Sequence, residues 1–494
     1  MEKFIRTFEI YCSVPGVNSN KPGSYAKGIQ YLCEYLGISE INEDSINRIK
    51  DIKELVGDKN SLFYGELLTF LEGRNQKSYL EKGFIQAALK YFFDYVNEMQ
   101  SNKVNTIDPN YERGEEQLST KEVLQHINTY ITAKGFTFDE GLLENYYLSL
   151  KSKPFVILAG TSGTGKTRLV RLFAEAIGAT AENGRYKLVS VRPDWSDSSD
   201  LFGHANLQGE FKPGAIIDFV KEASKNTDKP YFLCLDEMNL ARVEYYLSDF
   251  LSLIETRKRN KETGEIVTDE IDLDKAAPAE YSGLYLPENL YVIGTVNMDE
   301  TTFPFSKKVL DRANTIEFSY VNLNPEFSLD AEEINGIERG NNFLKTEYII
   351  LKTDADASDY AYITKICTEL QDINRILQEA NAHVGYRVRD EIVFYMLNSE
   401  KTKLLSYEDA LDNEIMQKIL PRIQGSGAAI KELLRKLFEK FAGDYSHISQ
   451  ESAWKKMKTY IETDKKNCKY KKSAEKICYM MRRFEEDGFT SYWL

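Results

Sequence analysis

Eight consecutive residues, Gly160, Thr161, Ser162, Gly163, Thr164, Gly165, Lys166 and Thr167, follow the spacing G-x-x-x-x-G-K-T. Three glycines in such a run let the backbone curl until its N–H groups point inward, the geometry that cradles phosphate oxygens. The lysine then reaches the β- and γ-phosphates of a nucleotide, and the hydroxyl after it binds Mg²⁺. Further on, Asp236 and Glu237 close the apolar run YFLCL. An Asp at the end of a strand beside the phosphate loop holds Mg²⁺ together with Thr167, and the Glu after it orients or deprotonates the attacking water. A third apolar run, LYVIGTVN, ends in Asn297, where an amide can hold that water between the two motifs. Beyond it hydrophobic periodicity is lost, and the stretch ends in KVLDRA with Arg312. A lone arginine after a helix is ordinarily a surface salt-bridge partner. The order phosphate loop, Asp-Glu, strand-tip Asn, Arg favours instead a finger aimed at a γ-phosphate, a role worth roughly 10³–10⁵ in rate.

Such side chains meet only if a sheet brings several strand ends together. Phe155 to Ala159 reads as a short strand and the residues from Lys166 onward as a helix, so the phosphate loop sits in a strand–loop–helix context. Apolar runs without alternation are what strands covered on both faces look like. The expected fold is an α/β module, a parallel sheet flanked by helices. Ahead of it, YAKGIQYLCEYLGI and KGFIQAALKYFFDYVNEM carry apolar residues at three- and four-residue spacing and predict helices. Their charges nearly cancel, 13 basic against 14 acidic through residue 104, so this segment advertises no polyanion partner. The polar, Pro-containing stretch that follows reads as a linker. Ser119 and Glu122 have the spacing of a capping box that opens the next helix. These features place a small all-α N-terminal domain over 1–104 and a linker over 105–118.

At 494 residues the chain exceeds what one core supports, and 42% hydrophobic with 28% charged residues is the balance of a globular protein. No signal peptide is evident and no apolar run is long enough to span a bilayer, which predicts a cytoplasmic protein without a membrane partner. The six cysteines include no C-x-x-C pair and the four histidines have no ligand spacing, so neither a disulfide framework nor a zinc site is expected. A net charge of -14 argues against nucleic-acid binding over the whole surface. One local candidate is Lys455 to Arg483, with eleven basic residues, three acidic ones, and Tyr460, Tyr470 and Tyr479 among them. A solvated helical face is the alternative.

The stretches GTSGTGKT, LDEMNLARVEYYLSDFLSLIE, GTVNMDETTFPFSKKVLDRA and KSAEKICYMMRRFEEDGFTSYW together resemble the McrB-type AAA+ motor subunits of modification-dependent restriction systems, over roughly residues 119 to 494. The resemblance implies a large α/β subdomain over 119–325, a helical lid over 326–450 and a basic C-terminal helical extension over 451–494. It makes Asn297 the sensor 1 residue and Arg312 a finger acting on a neighbouring subunit. GYRVRDEIVFYML looks like the lid helix that carries a sensor 2 arginine, either Arg387 or Arg389. SVRPDWSDSSDLFGHANLQGEFKPGAIIDFVKEA resembles the helix-2 insert shared with MoxR and dynein-like relatives, a hairpin whose Phe211 and Lys212 either touch a substrate in a ring pore or pack on the core. The N-terminal segment resembles the helical leader domain ahead of some such motors, not the methylcytosine reader of the type member.

One departure concerns the nucleotide. The type member carries Asn-Thr-Ala-Asp after its third strand and uses GTP, whereas this chain reads Asn297, Met298, Asp299, Glu300, which leans toward ATP. The function implied is an Mg²⁺-dependent NTPase, using ATP or GTP, in a homo-oligomeric and often hexameric ring. It would translocate on or remodel DNA and drive an McrC-like nuclease partner in antiphage restriction. No nuclease centre is found in this chain outside the NTPase motifs. A MoxR-like protein-remodelling ATPase that does not bind nucleic acid shares every site residue and stands as the alternative.

Overall fold

The computed structural model describes residues 5, 8, 22–38, 41, 43–53, 55–59, 61–74, 76–101, 118–261, 263–298, 303–318, 321, 323, 334–443, 452–463 and 468–493. The three apolar runs lie in one parallel five-stranded sheet, with two further strands that the sequence did not announce. Its strands are β1 (Phe155–Gly160), β2 (Tyr186–Ser190), β3 (Tyr231–Asp236), β4 (Leu290–Asn297) and β5 (Asn314–Phe318), in the order β2-β3-β4-β1-β5. Every residue of β1 and β4 is buried, and β3 opens only at Asp236. That burial is why these strands lack polar alternation.

Each face of the sheet has its own core. Val156, Leu158, Cys234 and Ile293 pack with Leu169, Val170 and Phe173 of the helix Lys166–Ala176. Ile157, Leu233, Leu235 and Val292 pack on the other side with Val220, Tyr246 and Phe250. Two glycines permit close approaches that set the strand ends. A Cβ on Gly160 would lie 2.1 Å from the Phe318 carbonyl oxygen, and one on Gly294 would lie 1.9 Å from Met238 Sδ. The second contact fixes the turn after β3 against β4.

The first core continues into the helices that follow β5. Tyr360–Gln378, Tyr386–Thr402, Tyr407–Glu414, Ala428–Ala442, Ala453–Thr463 and Lys471–Asp487 all contribute to it. A buried charge chain joins them to the sheet. Glu391 on the helix Tyr386–Thr402 pairs with both Lys153 and Lys418, and Lys418 Nζ also donates to the Ala313 carbonyl at 2.7 Å, just before β5. The tyrosines of the C-terminal basic stretch turn inward. Tyr470 is fully buried, Tyr460 donates its hydroxyl to the Ala442 carbonyl at 3.1 Å, and Tyr479 is half-buried. They pack the core and offer no exposed stacking platform.

By its contacts the chain divides into Met1–Glu112 and Arg113–Leu494. The divisions at 325 and 450 remain a reading of the sequence, and the core just described runs through all three segments. Of the linker read over 105–118, residues 105–117 lie outside the described residues. The first unit is helical, with Pro22–Tyr35, Glu43–Asp51, Leu62–Glu72, Ser78–Glu81 and Phe84–Ser101 around Ile29, Cys33, Leu67, Leu89 and Phe92. Gly28 lets the first and last of these helices approach, since a Cβ there would already lie 3.4 Å from Ile85 Cγ1. The capping box forms at the start of the helix Thr120–Ala133. Glu122 N–H donates to Ser119 Oγ at 3.3 Å, and Ser119 N–H donates to Glu122 Oε2 at 2.7 Å.

Candidate active site

The phosphate loop leaves β1 at Gly160 and enters its helix at Lys166. Gly163 and Gly165 have φ of 77° and 93°, in the left-handed region that side-chain-bearing residues avoid. Lys166 is buried, and its Nζ donates to the carbonyls of Gly160 at 3.1 Å and Thr161 at 2.6 Å. The ammonium thus lies under the curl of the loop, where phosphate oxygens can replace those carbonyls.

Parallel register brings the other groups to the same edge. Gly160 pairs with Asn297 across β1 and β4, and Leu235 pairs with Gly294 across β3 and β4. Asp236 Oδ1 accepts hydrogen bonds from Thr167 Oγ1 and from Thr295 Oγ1, both at 2.7 Å. The Glu237 N–H donates to the same Thr295 oxygen at 3.1 Å. Glu237 itself has φ 53°, and the turn aims its carboxylate at Asn297, whose Nδ2 donates to Oε1 at 2.9 Å. Thr295 was not anticipated from the sequence. Its signal is a hydroxyl in an otherwise apolar run, two residues before the strand-tip Asn.

Among the described residues no group of three or more His, Cys, Asp or Glu side chains could hold a metal alone. Thr167 and Asp236 supply one hydroxyl and one carboxylate, both hard oxygen donors. That pair suits Mg²⁺, which keeps several waters and completes its shell with nucleotide phosphates. Bound there, Mg²⁺ would neutralise charge developing between the phosphates.

The arginines sit elsewhere. Arg312 lies just beyond the short helix Lys307–Leu310, with Nε donating to the Leu251 carbonyl and Nη1 to the Lys308 carbonyl, each at 2.9 Å. Its Nε also lies 3.5 Å from Glu255 Oε1. Arg387 pairs with the same Glu255, while Arg389 pairs with Asp390 and lies over the Tyr386 ring at 4.9 Å. Arg387 is thus grouped with Arg312, and the contacts of Arg387 and Arg389 are with these partners, not with the phosphate loop. Asp299 and Glu300, the residues of the altered signature, lie outside the described residues.

The insert forms the expected hairpin, Gly203–Ala205 paired antiparallel with Phe211–Pro213. Phe211 is half-buried with its ring 5.6 Å from Tyr281, so it anchors the hairpin. Lys212 is exposed and 3.7 Å from Glu210. The tip instead presents Leu207, which is fully exposed. Asn206 Oδ1 stiffens the turn by accepting from the N–H groups of Gln208 at 3.0 Å and Glu210 at 2.9 Å.

Beside the loop lies a cavity of about 990 Å³ that reaches Gly160, Thr161 and Met298. Its far wall is the helix Lys471–Asp487, and Asp139 stands at its rim with a carboxyl that burial pushes up from the ordinary range.

Residues 155–313 match the family model described as AAA domain (dynein-related subfamily), a span that holds the phosphate loop, Asp236, Glu237, Asn297 and Arg312. Residues 333–489 match a domain of unknown function (DUF8727). The chain is 25% identical over 249 residues to the type IV methyl-directed restriction enzyme EcoKMcrB subunit of Escherichia coli (strain K12), covering 50% of this chain and 48% of that protein. It is 23% identical over 334 residues to a Lon protease of Lachnoclostridium phytofermentans, covering 66% of this chain and 36% of that one. Against a Lon protease of Halothermothrix orenii it is 30% identical over 170 residues, with 34% and 18% covered. The matched part is less than half the length of each relative.

Proposed function

We propose that the protein is an AAA+ NTPase related to McrB, the Mg²⁺-dependent motor of a ring that works on DNA for an McrC-like nuclease partner. The observation that carries the hydrolytic part is the pair of contacts at the strand tips, Thr167 to Asp236 at 2.7 Å and Asn297 to Glu237 at 2.9 Å. The loop N–H groups and Lys166 hold the polyphosphate, and Thr167 with Asp236 holds the metal. Glu237 takes the proton of the attacking water, with Asn297 fixing the direction of its carboxylate. Arg312, bonded to Leu251 and Lys308 of its own chain, supplies charge to the site of a neighbouring protomer, so each site requires assembly. A heterologous contact of this kind closes into a ring. ATP is the proposed substrate, because the Asn-Thr-Ala-Asp signature is replaced here by Asn297, Met298, Asp299 and Glu300.

A second reading is favoured by the hairpin tip. It offers an apolar Leu207 and a lysine beside a glutamate, which suits a protein strand better than a phosphate backbone. On that reading the protein is a MoxR-like remodeller of proteins. Steady-state hydrolysis of ATP and GTP, with and without duplex DNA at two salt concentrations, separates the two. DNA-stimulated ATP turnover that fades as salt rises is expected of the motor. Turnover indifferent to DNA, with and without the nuclease partner, would contradict it and leave the remodeller.

A further inference from the structure

The sequence assigned the lid's contact with nucleotide to Arg387 or Arg389, yet Glu255 and Asp390 occupy those arginines. The cavity beside Gly160 and Thr161 has other cations in its wall. Lys472, Lys476, Tyr479 and Arg483 of the C-terminal helix all line it. Their spacing of four, three and four places them on one face of that helix. Lys476 is nearly buried and pairs with Glu317 at 2.8 Å, and Glu317 lies beside Ala159 in the β1–β5 register. Lys472 Nζ donates to the neutral amide of Asn413 at 2.8 Å, and Arg483 Nε lies 3.1 Å from Asp487 of its own helix. Asp139, Glu140, Glu317 and Glu475 line the same recess, so a polyphosphate entering it exchanges carboxylate partners of these cations for phosphate oxygens. The recess has the volume of a small-ligand pocket and ends at the phosphate loop, which suits a polyphosphate and excludes a duplex.

We propose that the Lys472–Lys476–Arg483 face of the C-terminal helix binds the polyphosphate of the nucleotide held by the phosphate loop of the same chain. The proposal rests on the nucleotide-binding reading above. It makes the segment that looked like a DNA-binding or solvated stretch a nucleotide-reading wall, and it gives the C-terminal extension a contact that the triphosphate makes more fully than the diphosphate.

The test titrates the full chain with fluorescently labelled adenosine triphosphate and diphosphate in Mg²⁺. Variants are Lys472→Met, Lys476→Met and Arg483→Met, singly and combined, with Lys458→Met on the preceding helix as control. The combined variant is expected to lose about tenfold or more in triphosphate affinity, and less in diphosphate affinity, while the control matches the wild type. The partly exposed Lys472→Met and Arg483→Met single variants carry the same expectation in smaller measure should the combined variant fold poorly. Triphosphate affinity within about twofold of wild type in both single variants and in the combined one would overturn the proposal. So would equal loss for both nucleotides, or unchanged nucleotide affinity with lost duplex-DNA binding. Wild-type protein that binds no nucleotide, or Lys166→Ala that binds it as well as wild type, would strike the nucleotide reading itself and the inference with it.

Discussion

Glu237 holds a φ of 53°, a conformation that costs a residue with a side chain roughly 1–2 kcal/mol. The strain is local to the turn that swings its carboxylate onto Asn297, and a base fixed in direction is what water activation requires. Glu237→Gln is expected to bind nucleotide normally and to turn it over at least about 100-fold more slowly; normal turnover would remove Glu237 from the base role. Thr295 ties the Asp236 carboxylate to the Glu237 backbone, donating to Asp236 and accepting from the Glu237 N–H. Thr295→Val keeps the shape and removes both bonds. It should lower kcat and raise the Mg²⁺ concentration needed for half-maximal rate, and a change in kcat with unaltered Mg²⁺ dependence would separate Thr295 from the metal site. The loop, Asp236, Glu237 and Asn297 were legible in the sequence because contiguous spacing fixes what their backbone must do. Thr295 was not, because nothing in a buried strand says which neighbour's carboxylate its hydroxyl faces. The partners of Arg387 were equally hidden, since helical spacing does not say which carboxylate from another element a side chain will meet.

Elements are held to one another by buried charge as well as apolar packing. Lys153, Glu391 and Lys418 form a chain between the strand entering the phosphate loop and the helices after β5, with Lys418 also tied to the Ala313 carbonyl next to Arg312. Glu414, one turn away from Lys418, is fully buried, and neither carboxyl oxygen has a hydrogen-bond partner among the described residues. Burial raises its pKa to about 8, with Glu391 adding to the effect and Lys418 opposing it. The folded protein therefore keeps this proton up to about pH 8, while the unfolded chain releases it in the ordinary carboxylate range. Stability from this group is complete below that range and is lost as pH rises toward 8. Glu414→Gln mimics the protonated acid and lacks the titration. Chemical denaturation should show it more stable than wild type at pH 8, by an amount on the order of several kcal/mol that shrinks toward pH 5. A gap independent of pH would refute the assignment. Three of the five strands, β1, β3 and β4, were readable as apolar runs, whereas β2 and β5 and the polar chain crossing from sheet to helices were not, because the members of that chain look like surface residues in isolation.

At the scale of the whole molecule the hydrolytic groups and Arg312 belong to different neighbourhoods. Lys166, Thr167, Asp236, Glu237 and Asn297 are connected at the strand tips, and Arg312 is bonded to Leu251, Lys308 and Glu255. Shared Glu255 contacts place Arg387 with Arg312, so one carboxylate positions both cations. On the proposed division of the active site, a protomer alone is predicted to be inactive and to be completed by a neighbour. The most direct measurement is hydrolysis by mixtures of two inactive variants at fixed total protein. Arg312→Ala protomers keep the strand-tip groups, and Lys166→Ala protomers keep the finger. Each alone should be nearly silent, and mixing them should restore a substantial part of wild-type turnover as the finger of one meets the loop of the other. Mixtures that assemble yet stay as inactive as their components would contradict a finger acting between protomers.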